Sequence, residues 1–351
     1  MTAYALLVLP AANRVYAGAS VRLTLAELEV FDRAVLGGRL RDAGETRLGG
    51  VPYVRFSADP PLSERDVAFL SNLSSLHALF ELRDGLLAPV EARPLRRFDD
   101  DLLTIQKYAG KTNEQFTKLL LNVTALATDR PGDVLDRPLA VVDPLCGRGT
   151  TLNQALMYGW DAAGVDLDRA DVEAYAAFLR TWLTTKRIKH SASWAPVRRN
   201  RAVVAHRLAV TLGATKEEYR AGRVISVTAL CADTTRCLDF LPAGGFDVLV
   251  TDAPYGVRHG SRRAAGLSRR PADLLADALP VWTRLLRPGG AAGISWNTHV
   301  ARRADLVALL GANGLEVTAL PDFAHRVDQA INRDLVVARK PAPGEPADPR
   351  A

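Results

Sequence analysis

The sequence predicts an α/β protein: a parallel sheet covered by helices, preceded by a small α+β module. Three observations carry that expectation. From about residue 104 to 340, short apolar strands alternate with helical segments, the pattern of a parallel sheet buried on both faces. The first of those strands runs into a glycine-containing turn and then a helix, VVDPLCGRGTTLNQALMYG. Ahead of them, residues 1–95 follow a different order, strand, helix, strand, helix, closed by the charged run RRFDDD.

Taken in order, TAYALLVLP is strand-like, a helix follows around residues 24–36, and GVPYVRFSA returns as a strand. SERDVAFLSNLSSLHALFEL, with Val67, Leu70, Leu73, Leu76 and Leu79 at helical spacing, is expected to be a second helix. Residues 96–105 are expected as a linker and 106–340 as the second domain. Its strands fall at residues 140–144, 162–166, 224–233, 246–254, 291–297, 315–321 and 334–340. The tail PAPGEPADPRA, residues 341–351, is expected to be disordered.

At 351 residues, 48% hydrophobic and a mean hydropathy of −0.01, the chain has ample material for a core, which argues against disorder or a fibrous repeat. No apolar run approaches the ~20 residues of a membrane span, and YALLVLPA is too short and lacks a basic flank for a secretion signal. Cys146, Cys231 and Cys237 form no CxxC pair and the six histidines show no ligand spacing, so neither a metal site nor a disulfide framework is expected. Reduced thiols point to a cytoplasmic protein. The formal charge is +6, with 45 basic residues of which only seven are lysine. Arginine richness is therefore a weak signal, and local absence of acid a better one. Residues 174–216 hold nine Lys or Arg and no Asp or Glu; residues 257–271 hold Arg258, Arg262, Arg263, Arg269 and Arg270, again with no acid. Both patches suit phosphates, and the second lies next to the turn described below.

Gly147 and Gly149 permit a tight turn and close approach of backbone to a ligand, with Cys146 and Thr150 alongside. No lysine follows the second glycine, so the pocket suits a nucleoside cofactor without phosphate. Asp143 closes the first strand, and Asp166, twenty-three residues on, stands where a carboxylate can accept both ribose hydroxyls. Asp233 closes the third strand, placed to accept from an adenine amino group. The fourth strand ends TDAPYGVRHG. There Asp252 and the Ala253 carbonyl can hold an exocyclic amine, Pro254 shapes the turn, and the Tyr255 ring can stack on the base. Two acceptors on the amine hydrogens aim its lone pair at an incoming methyl.

Together these residues resemble class I S-adenosylmethionine methyltransferases, whose glycine motif DPLCGRGT matches and whose sheet is Rossmann-like. Asp-Ala-Pro-Tyr resembles the D-P-P-Y motif of amino methyltransferases, and with Gly256 and Arg258 it is most similar to the THUMP-type tRNA guanine-N2 methyltransferases. The resemblance implies S-adenosylmethionine as cofactor, tRNA as partner, no metal and no membrane, with Arg258, Arg262 and Arg263 near the substrate. It also implies that KYAGKTNEQFTKLLLNVTAL closes over the methionine end of the cofactor through Thr112 and Asn113. Two departures stand out: Ala253 replaces the first proline, leaving the turn one φ constraint short, and residues 1–95, whose element order is similar to the N-terminal module of those enzymes and which could bind RNA, are too few for that module plus a complete THUMP domain. DNA adenine-N6 or cytosine-N4 methylation, methylation of a small-molecule or peptide amine, and an inactive RNA-binding relative remain as alternatives.

Overall fold

The computed structural model describes residues 1–11, 14–253, 271–342 and 344. The N-terminal module is β1 (Thr2–Val8), α1 (Arg14–Phe31), β2 (Leu40–Leu48), β3 (Val51–Ala58), α2 (Glu64–Leu70), β4 (Leu76–Arg83) and β5 (Leu86–Val90). Its strands form one antiparallel sheet in the order β2-β3-β1-β4-β5. Ser63 starts α2 with a reciprocal capping box to Asp66. The helix then stops at Leu70, where the Ser71 hydroxyl donates to the Val67 carbonyl and the Asn72 amide to that of Ala68. The long helix expected over this stretch is therefore wrong in its second half, since Leu76–Arg83 is a strand paired along β1. A spacing of three suits a helix, but pairing with the apolar β1 decides the outcome.

Residues 96–105 are a packed strap rather than a loose linker. Leu102, in α3 (Asp101–Thr104), is fully buried, the Arg97 amide donates to the Met157 carbonyl at 2.9 Å, and Trp182 Nε1 donates to Asp101 at 2.9 Å. There follow α4 (Glu114–Ala125), α5 (Asp133–Asp136), β6 (Ala140–Asp143), α6 (Thr150–Tyr158), β7 (Asp161–Asp166), α7 (Arg169–Thr185), β8 (His190–Arg199), β9 (Ala202–Leu212), α8 (Lys216–Arg220) and β10 (Ile225–Cys231). The chain closes with β11 (Phe246–Asp252), α9 (Pro271–Leu285), β12 (Leu286–Asn297), α10 (Arg303–Ala312), β13 (Glu316–Val317), β14 (His325–Arg326) and β15 (Asn332–Arg339).

The second sheet runs β13-β15-β12-β11-β6-β7-β10-β9-β8. The five strands β12-β11-β6-β7-β10 are parallel, so their carboxyl ends share one edge, where a ligand crevice belongs. Two features depart from an all-parallel sheet. The closing strand β15 is antiparallel to β12. The basic insert, residues 184–222, forms the hairpin β8–β9, which lengthens the sheet beyond β10 and turns on Asn200 and Arg201 at φ 47° and 67°.

A buried polar chain joins the two sheets. Glu27 of α1 accepts from the Ser74 amide at 2.9 Å, the Ser74 hydroxyl at 2.6 Å and the Asn122 amide of α4 at 2.8 Å. Tyr158 of α6 donates to Asn122 Oδ1 at 2.7 Å. Each donor thus meets an acceptor inside the junction, as burial of polar groups requires. Among the described residues no helix is long and apolar enough to cross a membrane, and no group of three or more His, Cys, Asp or Glu could hold a metal.

Candidate active site

The carboxyl edge of the parallel strands divides into two halves. In the first, β6 delivers Asp143 at 3% exposure, accepting the Leu145 amide at 3.0 Å, and burial pushes its carboxyl up to about 7. The chain then turns through Gly147 at φ 47° and Gly149 at φ 79°. A Cβ on Gly149 would stand 2.4 Å from the Tyr175 ring, so only glycine lets α6 start there. A Cβ on Gly147 would meet no described atom within 4 Å, so the loop backbone faces open space at that point. The Gly147 amide donates to Asp166 Oδ2 and the Asp168 amide to Oδ1, both at 2.8 Å. Asp166 therefore anchors the loop and holds its own carboxylate in one orientation at the end of β7; burial raises its pKa. Asp233 accepts the Thr235 amide at 2.9 Å and its hydroxyl at 2.7 Å, which orients the carboxylate past β10.

Cys146 is buried against β7, so close that a Cβ on Gly164 would stand 2.6 Å from its sulfur, and burial pushes the thiol well up. It is a packing residue of the loop, not a nucleophile. Thr150 and Tyr108 share a hydroxyl hydrogen bond at 3.0 Å. The Arg148 guanidinium lies 4.8 Å from the Tyr108 ring and donates to Asp171 at 2.7 Å. The segment before α4 thus arches over the glycine turn.

The second half centres on Asp252, the last residue of β11. The Ser295 hydroxyl of β12 donates to its Oδ1 at 2.6 Å and the Thr112 hydroxyl to its Oδ2 at 2.6 Å. Arg333 of β15 adds an ion pair at 3.1 Å. That guanidinium is 5% exposed and lies 4.5 Å from the Phe116 ring centroid. Thr112, expected beside the cofactor, binds the Asp252 carboxylate, while Asn113 caps α4 by accepting the Phe116 amide at 3.0 Å. Ala253 is 2% exposed, and its amide donates to the Ser295 carbonyl at 2.8 Å. A proline could not make that bond, so the hydrogen bond supplies restraint where the ring is missing. A cavity of about 220 Å³ opens beside this half, lined by Tyr16, Lys111, Thr112, His325 and Arg333 among others. Pro254, Tyr255, Arg258, Arg262 and Arg263 lie outside the described residues.

Residues 126–279 match the family described as RMKL-like, methyltransferase domain. That match spans 154 of the 351 residues. No curated protein matches the chain. Among solved structures it is similar to an S-adenosylmethionine-dependent methyltransferase of Methanosarcina mazei, with 13% identity over 61% of this chain and 98% of that one, TM-score 0.38. A TehB-like methyltransferase of Corynebacterium glutamicum gives 16% identity over 59% and 85%, TM-score 0.33. Magnesium protoporphyrin IX methyltransferase of Synechocystis, with S-adenosylhomocysteine bound, gives 11% over 69% and 93%, TM-score 0.39. The matched family model describes a methyltransferase domain, and the second sheet has the Rossmann-like parallel order expected to seat S-adenosylmethionine. The residues fit that cofactor: an open glycine backbone, an oriented carboxylate one strand away, and no phosphate-binding lysine.

Tyr108 and Arg148 lie inside the quoted motifs without being singled out by them, while Ser295 and Arg333 carry no local sequence signal. Ser295 lies 43 positions and Arg333 81 positions from Asp252. Only the pairing of β11 with β12, and β12 with β15, brings them together.

Proposed function

We propose that the chain transfers methyl to the exocyclic amino group of a nucleobase, guanosine N2 in tRNA. The observation that supports this most directly is the Asp252 carboxylate, braced by Thr112, Ser295 and Arg333, immediately before Ala253-Pro254-Tyr255. Bound S-adenosylmethionine supplies an already activated methyl group, so the protein's task is alignment and electrostatics. Asp252 accepts a hydrogen from the amine and draws its lone pair out of conjugation with the ring. The Thr112, Ser295 and Arg333 donors help hold the carboxylate still while it does so. The Ala253 amide, bonded to Ser295, keeps the turn against β12, so the adjacent carbonyl is available as a second acceptor. Asp143, Asp166 and Asp233 serve the cofactor, and Tyr255 and Arg258, Arg262 and Arg263 the nucleotide. Incubation with labelled S-adenosylmethionine and total tRNA, followed by mass spectrometry of the nucleosides, is expected to reveal methylated guanosine. A protein that binds the cofactor yet labels no nucleoside refutes the proposal.

A further inference from the structure

The hairpin β8–β9 has a position and a charge that the methyl-transfer reading leaves unused. The last β9–β10 pair is His206 with Cys231, and Cys231 is itself level with Asp166. Residues 197–205 therefore overhang the carboxyl edge on which Asp143, Asp166 and Asp252 stand. Arg199 pins that overhang, pairing with Asp239 at 3.2 Å, donating to its carbonyl at 2.7 Å and lying 6.0 Å from the Phe240 ring. The tip is thus fixed against the turn that follows Asp233. A register shift between Val197 and Arg198 turns the strand as it leaves the sheet.

Arg198, Arg201 and Arg207 are exposed on this hairpin, and none of them has a carboxylate partner among the described residues. Among the described residues, other arginines near this edge are neutralised, Arg333 by Asp252 and Arg148 by Asp171. Unneutralised like charges on one hairpin repel, and a polyanion removes that repulsion. Behind the hairpin, α7 and β8 enclose an open groove of about 560 Å³ with Arg180, three threonine hydroxyls and His190 on its walls. Ten residues of β8 extend roughly 30 Å from this groove to the tip, a sheet edge with no partner strand among the described residues and with donors at both ends.

We infer that the β8 edge and the hairpin tip hold the phosphodiester backbone of the RNA substrate and lead it to the catalytic edge. The inference rests on the RNA reading proposed above. Guanidinium forks grip phosphate oxygens in pairs, and the exposed small residues Ser191, Ser193 and Ala195 let a backbone come close. Contacts of this kind fix position and leave base choice to the site.

The test is filter binding of total tRNA to the full chain between about 50 and 200 mM salt. Arg198→Glu/Arg201→Glu/Arg207→Glu is expected to weaken binding at least about tenfold and to lower the log–log salt slope by roughly 2–3, the share of three phosphates. Its melting temperature and its affinity for S-adenosylmethionine should stay at the wild-type values. Reversing Arg41, Arg47 and Arg55 on the N-terminal sheet should change neither affinity nor slope. If wild type binds tRNA and the hairpin variant binds equally well, the inference falls and the substrate reading stands. If wild type fails to bind tRNA at the lowest salt, both fall. Duplex DNA competing as strongly as tRNA also overturns the RNA assignment. Should the Glu variant melt early, Arg198→Gln/Arg201→Gln/Arg207→Gln decides: a slope lowered by the same roughly 2–3 supports the inference, and an unchanged slope overturns it.

Discussion

Around Gly147 the site is made mainly of main chain, while around Asp252 it is made of side chains gathered from far apart. The Gly147 half takes its shape from two left-handed glycines and from amides that donate to Asp166 within one βαβ unit. The Asp252 half depends on Thr112, Ser295 and Arg333, brought together by α4, β12 and β15. A short-range turn can be specified by a handful of adjacent residues, whereas a long-range network needs the whole sheet in register. Changes in the first half should therefore act on cofactor binding and local stability, and changes in the second on methyl transfer.

The largest effect is expected from Gly149→Ala. Strain at φ 79° and the clash with Tyr175 together should cost about 3–5 kcal/mol and abolish measurable cofactor affinity, read by thermal melting and calorimetry. Arg333→Met comes next. It leaves Asp252 without its buried counter-ion, which should lower stability by about 3 kcal/mol and methyl transfer by at least about tenfold, with cofactor affinity retained. Steady-state kinetics beside calorimetry separates those outcomes, and loss of cofactor affinity would erase the proposed division.

Titration of Asp143 gives a smaller and directional effect. Its folded carboxyl titrates near 7, above the ordinary aspartate value of about 3.9, so between those values the folded state holds a proton that the unfolded state releases. The stability this contributes is complete below about pH 4 and is lost as pH rises towards 7. Melting from pH 5 to 8 should cost wild type about 2 kcal/mol more than Asp143→Asn, and parallel curves would contradict the assignment. The smallest effect is expected from Tyr158→Phe, which leaves Asn122 Oδ1 without its donor in the junction between the sheets. It should destabilise by about 1–2 kcal/mol and alter neither cofactor affinity nor transfer rate.

The same contrast explains what could be read from the sequence. The strand ends at Asp143, Asp166 and Asp252 were legible because each closes a short apolar run, and the glycine turn because its residues are adjacent; Asp233, expected to close the third strand, stands two residues past β10 and caps the turn that follows. Arg333 was not, since nothing local distinguishes it from the other arginines of a chain rich in them. The β8–β9 hairpin was seen only as a basic insert: its turn uses Asn200-Arg201 rather than Asn-Gly, so the usual hairpin signal was absent. The segment 63–82 misled for a related reason. Leucines three apart satisfy a helix, and only the partner strand β1 reveals that Leu76–Arg83 extends. Thr112 was found, but its partner is a carboxylate 140 residues away.

The most direct test compares two isosteric changes, Asp166→Asn and Asp252→Asn, in S-adenosylmethionine titration and in methyl transfer to total tRNA. The account predicts that Asp166→Asn weakens the cofactor at least about tenfold, while Asp252→Asn binds it like wild type and loses at least about a hundredfold in rate. Full transfer by Asp252→Asn, or an equal loss of cofactor affinity in both, would contradict it.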